Sequence, residues 1–337
     1  MVESVRMGVI GIDHRHIYTM AQHMLDVGNI LVGWCTEGTP DTLSGFVKRF
    51  PDVPRVADPD VLLNDPSIDL ILVAGVPDER AGHAIRAMNA GKDVLSDKPG
   101  CVDAAQLAHL RNVQAKTGRI WSIDFSERFE VEAVTCAANL VAEGAIGQIV
   151  QTVGLGPHRL NRATRPDWFF QRARYGGILV DIASHQIDQF LYFTRSQSAR
   201  VSTASVGNFA NPLTPELQDF GQLVLETPNA HGYIRVDWYT PDGLPTWGDG
   251  RLFLLGTEGT IELRKYVDID GRLGTDHVML VNKDRCEHIH ASGAGLPFFQ
   301  RLTNDIRDRS DTAMTQDHCF KVMELAIEAQ HLAEAAS

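Results

Sequence analysis

No apolar run in this sequence approaches the roughly 20 residues that a bilayer-spanning helix needs, so no transmembrane helix is expected. Cysteine is sparse. The five residues, at 35, 101, 136, 286 and 319, are odd in number and form no C-x-x-C pair. That excludes a disulfide framework or a cysteine-based zinc site and fits reduced thiols in a cytosol. The opening stretch Met1-Val2-Glu3-Ser4-Val5-Arg6 lacks the basic and apolar regions of a secretory signal, so a soluble, cytoplasmic protein is expected. Positive charge is in deficit, with 31 Lys and Arg against 43 Asp and Glu and a net charge of −12. Such a chain is a poor match for a phosphate backbone, which argues against a nucleic-acid partner. Internal repeats and low-complexity segments are also absent.

What remains is ordinary globular material, 44% hydrophobic and 22% charged over 337 residues, enough for about two domains. Val5 to Ile10 reads as a buried strand ended by Gly11, followed by a helix with Ile17, Met20, Met24 and Leu25 on one face. Ile30 to Cys35 is a second strand. Thr39-Pro40 resembles a cap with proline at the first helical position, opening a helix to about Phe50. Leu70 to Ala74 is a strand, Ala81 to Ala90 a helix ended by Gly91, and Val94-Leu95 the start of another strand. Asp103-Ala104-Ala105-Gln106 resembles a capping box for a helix to Lys116, and Ile120 to Phe125 is one more strand. This alternation predicts an α/β fold with a doubly wound parallel sheet over residues 1–125, a Rossmann dinucleotide-binding domain.

Beyond a helix at Val131 to Glu143 the texture changes. Longer alternating runs appear at Ile149–Val153, Val201–Val206, Gln222–Leu225, Tyr233–Trp238 and Arg251–Leu255, with turns such as Pro241-Asp242-Gly243. Residues 126–337 are therefore expected to form an α+β domain around a large, mainly antiparallel sheet. Amphipathic helices near Phe298–Arg309 and Asp317–Ala335 close the chain.

The segment Gly11-Ile12-Asp13-His14-Arg15-His16 stands where a G-x-G-x-x-G fingerprint belongs. Only Gly11 keeps its glycine; Asp13 and His16 replace the others. The helix amino terminus still presents amides to phosphate, with His14 and His16 as further donors, while the Asp13 charge opposes an anion. Thr36-Glu37 occupies the position of the acidic residue that holds the ribose hydroxyls. No Lys or Arg follows before Lys48, so NAD is expected over NADP.

Four segments in order resemble the Gfo/Idh/MocA family of NAD(P)-dependent oxidoreductases: Gly91-Lys92-Asp93-Val94-Leu95-Ser96-Asp97-Lys98-Pro99, the G-x-x-G step Gly144-Ala145-Ile146-Gly147, the G-G-x-x-x-D-x-x-x-H-x-x-D segment Gly176 to Asp188, and Gly256-Thr257-Glu258-Gly259-Thr260. The chain departs from the family pattern at Asp13 and His16, at Asp97 in place of Glu, and at Gly75-Val76-Pro77-Asp78, where T-P-N is usual. The resemblance implies hydride transfer between a nicotinamide and a secondary alcohol or ketone of a sugar or polyol. Lys98, Asp181 and His185 would be the catalytic trio. A carboxylate beside an imidazole orients it as a proton acceptor, and an ammonium stabilises developing charge on oxygen. Asp181 and His185, four residues apart, would share one helix face. Gly11, Ile12, Asp13, His14, His16, Thr36, Glu37, Gly75, Val76, Pro77 and Lys98 would address the cofactor, and Arg128, His158, Arg162, Arg165 and Trp168 the substrate. A homodimer or homotetramer follows from the same resemblance. No metal is expected, because Glu287-His288-Ile289-His290 offers alternate strand residues without a third ligand. Two other readings remain open: a tightly bound NAD used transiently for glycoside cleavage, elimination or epimerisation, and a non-catalytic nucleotide sensor.

Overall fold

The structure, a computed structural model, describes residues 4–335; Met1-Val2-Glu3 of the opening stretch lie outside the described residues. Its first part alternates strands with helices, two of them between β2 and β3: β1 (Arg6–Ile10), α1 (Ile17–Asp26), β2 (Ile30–Cys35), α2 (Leu43–Arg49), α3 (Pro59–Leu63), β3 (Leu70–Val73), α4 (Pro77–Asn89), β4 (Asp93–Asp97), α5 (Ala104–Thr117) and β5 (Trp121–Asp124). The strands form one five-stranded sheet in the order β2-β1-β3-β4-β5, parallel throughout. β3, β4 and β5 are buried at every position, as strands covered on both faces are; β3 is a pure apolar run, while β4 and β5 also bury Asp93, Ser96, Asp97, Ser122 and Asp124.

Helix starts follow local chemistry. The Asp103 Oδ1 accepts from the Gln106 amide at 2.8 Å, and the Gln106 Oε1 accepts from the Val102 amide at 2.9 Å, close to the expected capping box. Thr39-Pro40 is not a cap. The Leu43 amide bonds to the Pro40 carbonyl at 2.9 Å, so Pro40 opens a turn, and α2 starts only after Thr42. The same signal does operate at Asp58-Pro59, where the Asp58 side chain caps α3 with proline in its first turn. Pro77 likewise starts α4 four residues before the expected Ala81.

The chain then forms α6 (Ser126–Phe129), α7 (Glu132–Ala142), β6 (Ile149–Pro157), α8 (Arg172–Tyr175), α9 (Ile178–Asp181), α10 (Ala183–Thr194), β7 (Arg200–Gly207), β8 (Phe220–Glu226), β9 (His231–Asp237), β10 (Arg251–Gly256), β11 (Gly259–Arg264), β12 (His277–Asn282) and β13 (Cys286–His290). Its eight-stranded sheet runs β13-β12-β11-β10-β6-β9-β8-β7. Every neighbouring pair is antiparallel except β6 and β9. Period-2 burial puts Leu252, Leu254, Ile261, Leu263, Val278 and Leu280 in a core with Val134, Ala137 and Leu140 of α7.

Two helices end the described chain, α11 (Pro297–Asp308) and α12 (Gln316–Ala335). The division into contact-dense units differs from the expected cut at 125/126. The first unit holds the chain up to Asp124 together with Ala173–Gly176 and Pro297–Met323; the second holds Phe125–Arg172, Gly177–Leu296 and the chain from Glu324. The cause is specific bonding of a late segment to the Rossmann sheet. Asn29 Nδ2 donates to Thr303 Oγ1 at 2.7 Å, Arg309 Nη1 pairs with Asp93 at 2.7 Å, and Gln316 Oε1 accepts from the Trp121 amide at 2.9 Å.

Candidate active site

In the first unit the chain leaves β1 for β2 on one side, and β3 lies on the other, so the carboxyl ends of β1 and β3 flank a topological switch point. Gly11 sits there with φ +76°, and a Cβ on it would come within 2.6 Å of the Gly75 Cα. The one glycine retained from the fingerprint is thus the one that lets the β1 and β3 loops meet. A cleft of about 380 Å³ opens at these strand ends, lined by Gly11, Asp13, Thr36, Glu37, Gly75, Val76, Glu79 and His83 among others. Burial, then the Glu79 charge, pushes the Asp13 carboxyl up to about 6, so it takes up a proton more readily than an ordinary carboxylate but still carries charge at neutral pH. Near Glu37 the structure supplies a cation that local sequence did not reveal. Arg55 Nη2 donates to the Thr36 carbonyl at 3.0 Å, and its guanidinium lies over the Trp34 ring.

At the end of β4, Asp97 is fully buried. His14 Nδ1 lies 2.7 Å from its Oδ2 and His16 Nδ1 2.8 Å from its Oδ1. Arg80, also fully buried, approaches the same carboxylate at 2.9 Å. Burial opposes the Asp97 charge, but the Arg80 guanidinium together with His14 and His16 outweighs it and holds the carboxyl well below the usual range. Burial lowers the His14 imidazole to about 3, which keeps it neutral. Arg80 also donates through Nε to the Gly75 carbonyl at 2.8 Å and through Nη1 to the Lys98 and Pro99 carbonyls. One residue not marked by the sequence reading therefore ties the Gly75 loop to the backbone of Lys98, itself only 3% exposed.

In the second unit, His185 and Asp181 are buried, and the ring of Phe125 meets that of His185 edge-on at 6.3 Å. The D-x-x-x-H segment is not one continuous helix: α9 ends at Asp181 and α10 begins at Ala183, so the spacing straddles a break at Ile182. The helix α10 lies close on β6 because that strand carries glycine: a Cβ at Gly154 would come within 2.7 Å of the Gln186 side chain. Gln186 Nε2 donates to Glu127 Oε2 at 2.9 Å, and Lys265 Nζ donates to the same oxygen at 2.7 Å. Neither Glu127 nor Lys265 was marked in the sequence, since their pairing spans 138 positions.

Four of the five expected substrate residues, His158, Arg162, Arg165 and Trp168, meet one aromatic cluster of Phe169, Phe170 and Trp238. His158 and Arg165 both contact the Trp238 ring, at 5.3 Å between centroids and 5.0 Å from the guanidinium respectively, and His158 also meets Trp247 at 4.6 Å. Trp168 packs against Phe169, and Arg162, which is exposed, lies over Phe170 and bonds to Thr214. Arg128 departs from its expected role. It forms a buried bidentate pair with Asp188, both contacts at 2.6 Å, which engages the fork that a substrate carboxylate or diol would need.

A Rossmann unit with a cleft at its switch point, joined in sequence to a unit with a large mixed sheet and a buried histidine motif, has the organisation of a nicotinamide-linked oxidoreductase. The chain belongs to the Gfo/Idh/MocA family. Residues 5–125 match the family's NAD-binding Rossmann fold and residues 134–262 its C-terminal domain. The chain is similar to a solved oxidoreductase structure from Erwinia carotovora atroseptica SCRI1043, with 44% identity, a TM-score of 0.95, and coverage of 98% of this chain and 99% of that one. It is 29% identical over 181 residues to the NADP(+)-linked scyllo-inositol 2-dehydrogenase of Bacillus subtilis strain 168, covering 53% of this chain and 49% of that protein. A levoglucosan dehydrogenase solved with NADH shares the fold, with 18% identity, a TM-score of 0.79, and coverage of 99% of this chain and 98% of that one. The matched region spans about half the length of the curated relatives. Among the described residues, no helix is long and apolar enough to cross a membrane.

Proposed function

We propose that this protein is a nicotinamide-dependent dehydrogenase acting on a secondary alcohol, or in reverse the ketone, of a sugar or polyol. The observation that carries this reading is Lys98, held by the buried Arg80 at the carboxyl end of a Rossmann strand. The cleft residues Gly11, Asp13, Gly75 and Val76, with Ile12, His14, His16 and Pro77 of the same loops, address the dinucleotide, and Thr36 and Glu37 its adenosine ribose. The nicotinamide, when bound, supplies the hydride acceptor or donor. Lys98 stabilises the substrate oxygen as charge develops on it. His185, in the motif that also carries Asp181, takes the hydroxyl proton during oxidation. His158, Arg162, Arg165 and Trp168 present polar and aromatic surface for a sugar. The deciding assay is NADH formation from NAD⁺ over a sugar and polyol panel that begins with scyllo-inositol and levoglucosan. No NADH formation with any member would refute the reading as stated.

NAD is the preferred cofactor in this reading, because Glu37, which lines the cleft, would accept hydrogen bonds from the ribose hydroxyls. Glu37→Ala is expected to weaken NADH binding about tenfold, equivalent to about 1.4 kcal/mol, and to narrow the preference over NADPH. Removing the carboxylate leaves Arg55 beside a 2′-phosphate without an opposing charge. Fluorescence titration of both reduced cofactors measures this; tighter NADPH binding by the unaltered protein would contradict it.

A homo-oligomer is part of the same reading. Val224, Tyr233, Val153, Phe253, Glu262 and Met279 stand side by side across six strands on the face of the large sheet away from its core, and all are only half-buried. A second copy of the chain would cover that mostly apolar row. Phe253→Glu is expected to shift the assembly to monomers in light scattering, and a monomeric unaltered protein would end the proposal.

A further inference from the structure

We propose that His14, His16 and Asp97 form a binding site for one divalent transition-metal ion of the zinc type. One ring nitrogen from each imidazole and a carboxylate oxygen lie within 4.8 Å of one another, from a loop and a strand end 81 positions apart. The chemistry suits the class, since imidazole and carboxylate ligands take zinc-type ions, and three protein ligands leave an open position for an oxygen donor. His14 and His16 are about a quarter exposed, with side-chain values of 22% and 29%, while Asp97 is wholly buried, so an ion has an entry path and a fixed anionic ligand.

His16 Nδ1 is hydrogen-bonded to Asp97 Oδ1 at 2.8 Å, but the His14 contact is different. His14 Nδ1 and Asp97 Oδ2 are both buried and 2.7 Å apart, yet they are not aligned as a hydrogen bond. A hydrogen-bonded pair points donor at acceptor, whereas metal ligands point lone pairs past one another at a shared centre. Arg80 Nη2 is also close to Oδ2 without hydrogen-bond alignment, and its other nitrogens are bonded to the Gly75, Lys98 and Pro99 carbonyls. It braces the carboxylate as an outer partner does. Its charge also offsets that of Asp97, so the site should bind more weakly than a structural zinc centre.

The site shares His14 and His16 with the proposed dinucleotide loop, but its experiment needs neither cofactor nor substrate, so the two readings can fail separately. Chelator-treated full-length protein is titrated with Co²⁺, followed by visible absorption and calorimetry, and then with Zn²⁺. One equivalent of Co²⁺ should bind with the d–d absorption of a low-coordinate nitrogen and oxygen site and be displaced by Zn²⁺. His14→Asn and His16→Asn should each lower affinity by at least about a hundredfold, the upper end of the loss for an outer-shell partner. These partly exposed positions are exchanged in preference to the buried Asp97, and an unchanged far-UV spectrum confirms folding. His288→Asn, in the separate contact between His277 and His288, should leave the stoichiometry at one. Absence of binding, binding undiminished in both folded loop variants, or binding lost only in His288→Asn would each overturn the site.

Discussion

Replacing Lys98 or His185 by alanine is expected to lower turnover of an accepted sugar or polyol by about a hundredfold or more, while the fold and NADH binding persist. A factor of one hundred is about 2.7 kcal/mol of transition-state stabilisation, within the range for losing an electrostatic stabiliser or a general base. The structure explains why each variant should still fold. Arg80 holds residue 98 through its backbone carbonyl, which alanine keeps. The helix α10 is seated by Gln186 against Gly154 and by Phe190 against Gly232, not by His185 alone. The two variants should differ in their pH dependence. His185→Ala should remove the limb of the kcat profile that reports the proton acceptor, and Lys98→Ala should lower the plateau without removing that limb. Wild-type turnover in either variant, with an established substrate, would take that residue out of the mechanism. Substrate consumption without NADH accumulation would instead favour transient use of a bound cofactor.

Lys265→Met is expected to destabilise the second unit by about 3–5 kcal/mol, the usual cost of stranding one member of a buried ion pair. Glu127 and Lys265 are 2% and 1% exposed, and the 2.7 Å contact joins α6 to the residue after β11. Burial raises the Glu127 carboxyl, but Lys265, aided by the nearby His185 and His158, brings it down from 4.5 to about 2. A carboxyl whose folded value is depressed stabilises the native state above its unfolded value. That contribution, on the order of 3 kcal/mol at 1.36 kcal/mol per unit, is lost as pH falls from about 4.5 towards 2. In Lys265→Met the desolvation is unopposed and the carboxyl rises. The stability gap between the two proteins should therefore narrow on acidification. Glu127→Gln combined with Lys265→Met should recover most of the loss, because no charge then remains buried. Chemical denaturation at several pH values measures all three, and a Lys265→Met protein as stable as the parent at pH 7 would refute the argument.

Much of the fold was legible because its signals are local. The helix over Asp317–Ala335 is found at Gln316–Ala335, and the one over Phe298–Arg309 at Pro297–Asp308. The strands of the larger sheet were read short rather than missed where burial alternates, as at Val201–Val206 within Arg200–Gly207. β11 and β12 were passed over, one beginning inside the Gly-Thr-Glu-Gly-Thr turn and the other following a loop rich in glycine and aspartate. Thr39-Pro40 misled because proline after threonine suits a turn as well as a helix start. The metal expectation considered only Glu287 to His290. The H-x-H spacing at 14 and 16 was visible, but its third partner lay at the end of another strand.

By itself the sequence determined the strand–helix alternation, the order of the glycine and Lys-Pro motifs, and the family resemblance. Each of these is written in residues a few positions apart, through burial period, turn chemistry or a short motif. Only the tertiary structure decided that Pro297–Met323 packs with the Rossmann unit, that Arg80 braces Lys98, and that Arg55 reaches the Thr36 carbonyl. It also paired Arg128 with Asp188 and gathered His14 and His16 on Asp97. These are contacts of long reach between charged or polar groups. A charged residue in sequence carries no mark of which distant partner will neutralise it, and that choice is made only when strand ends meet and water is excluded.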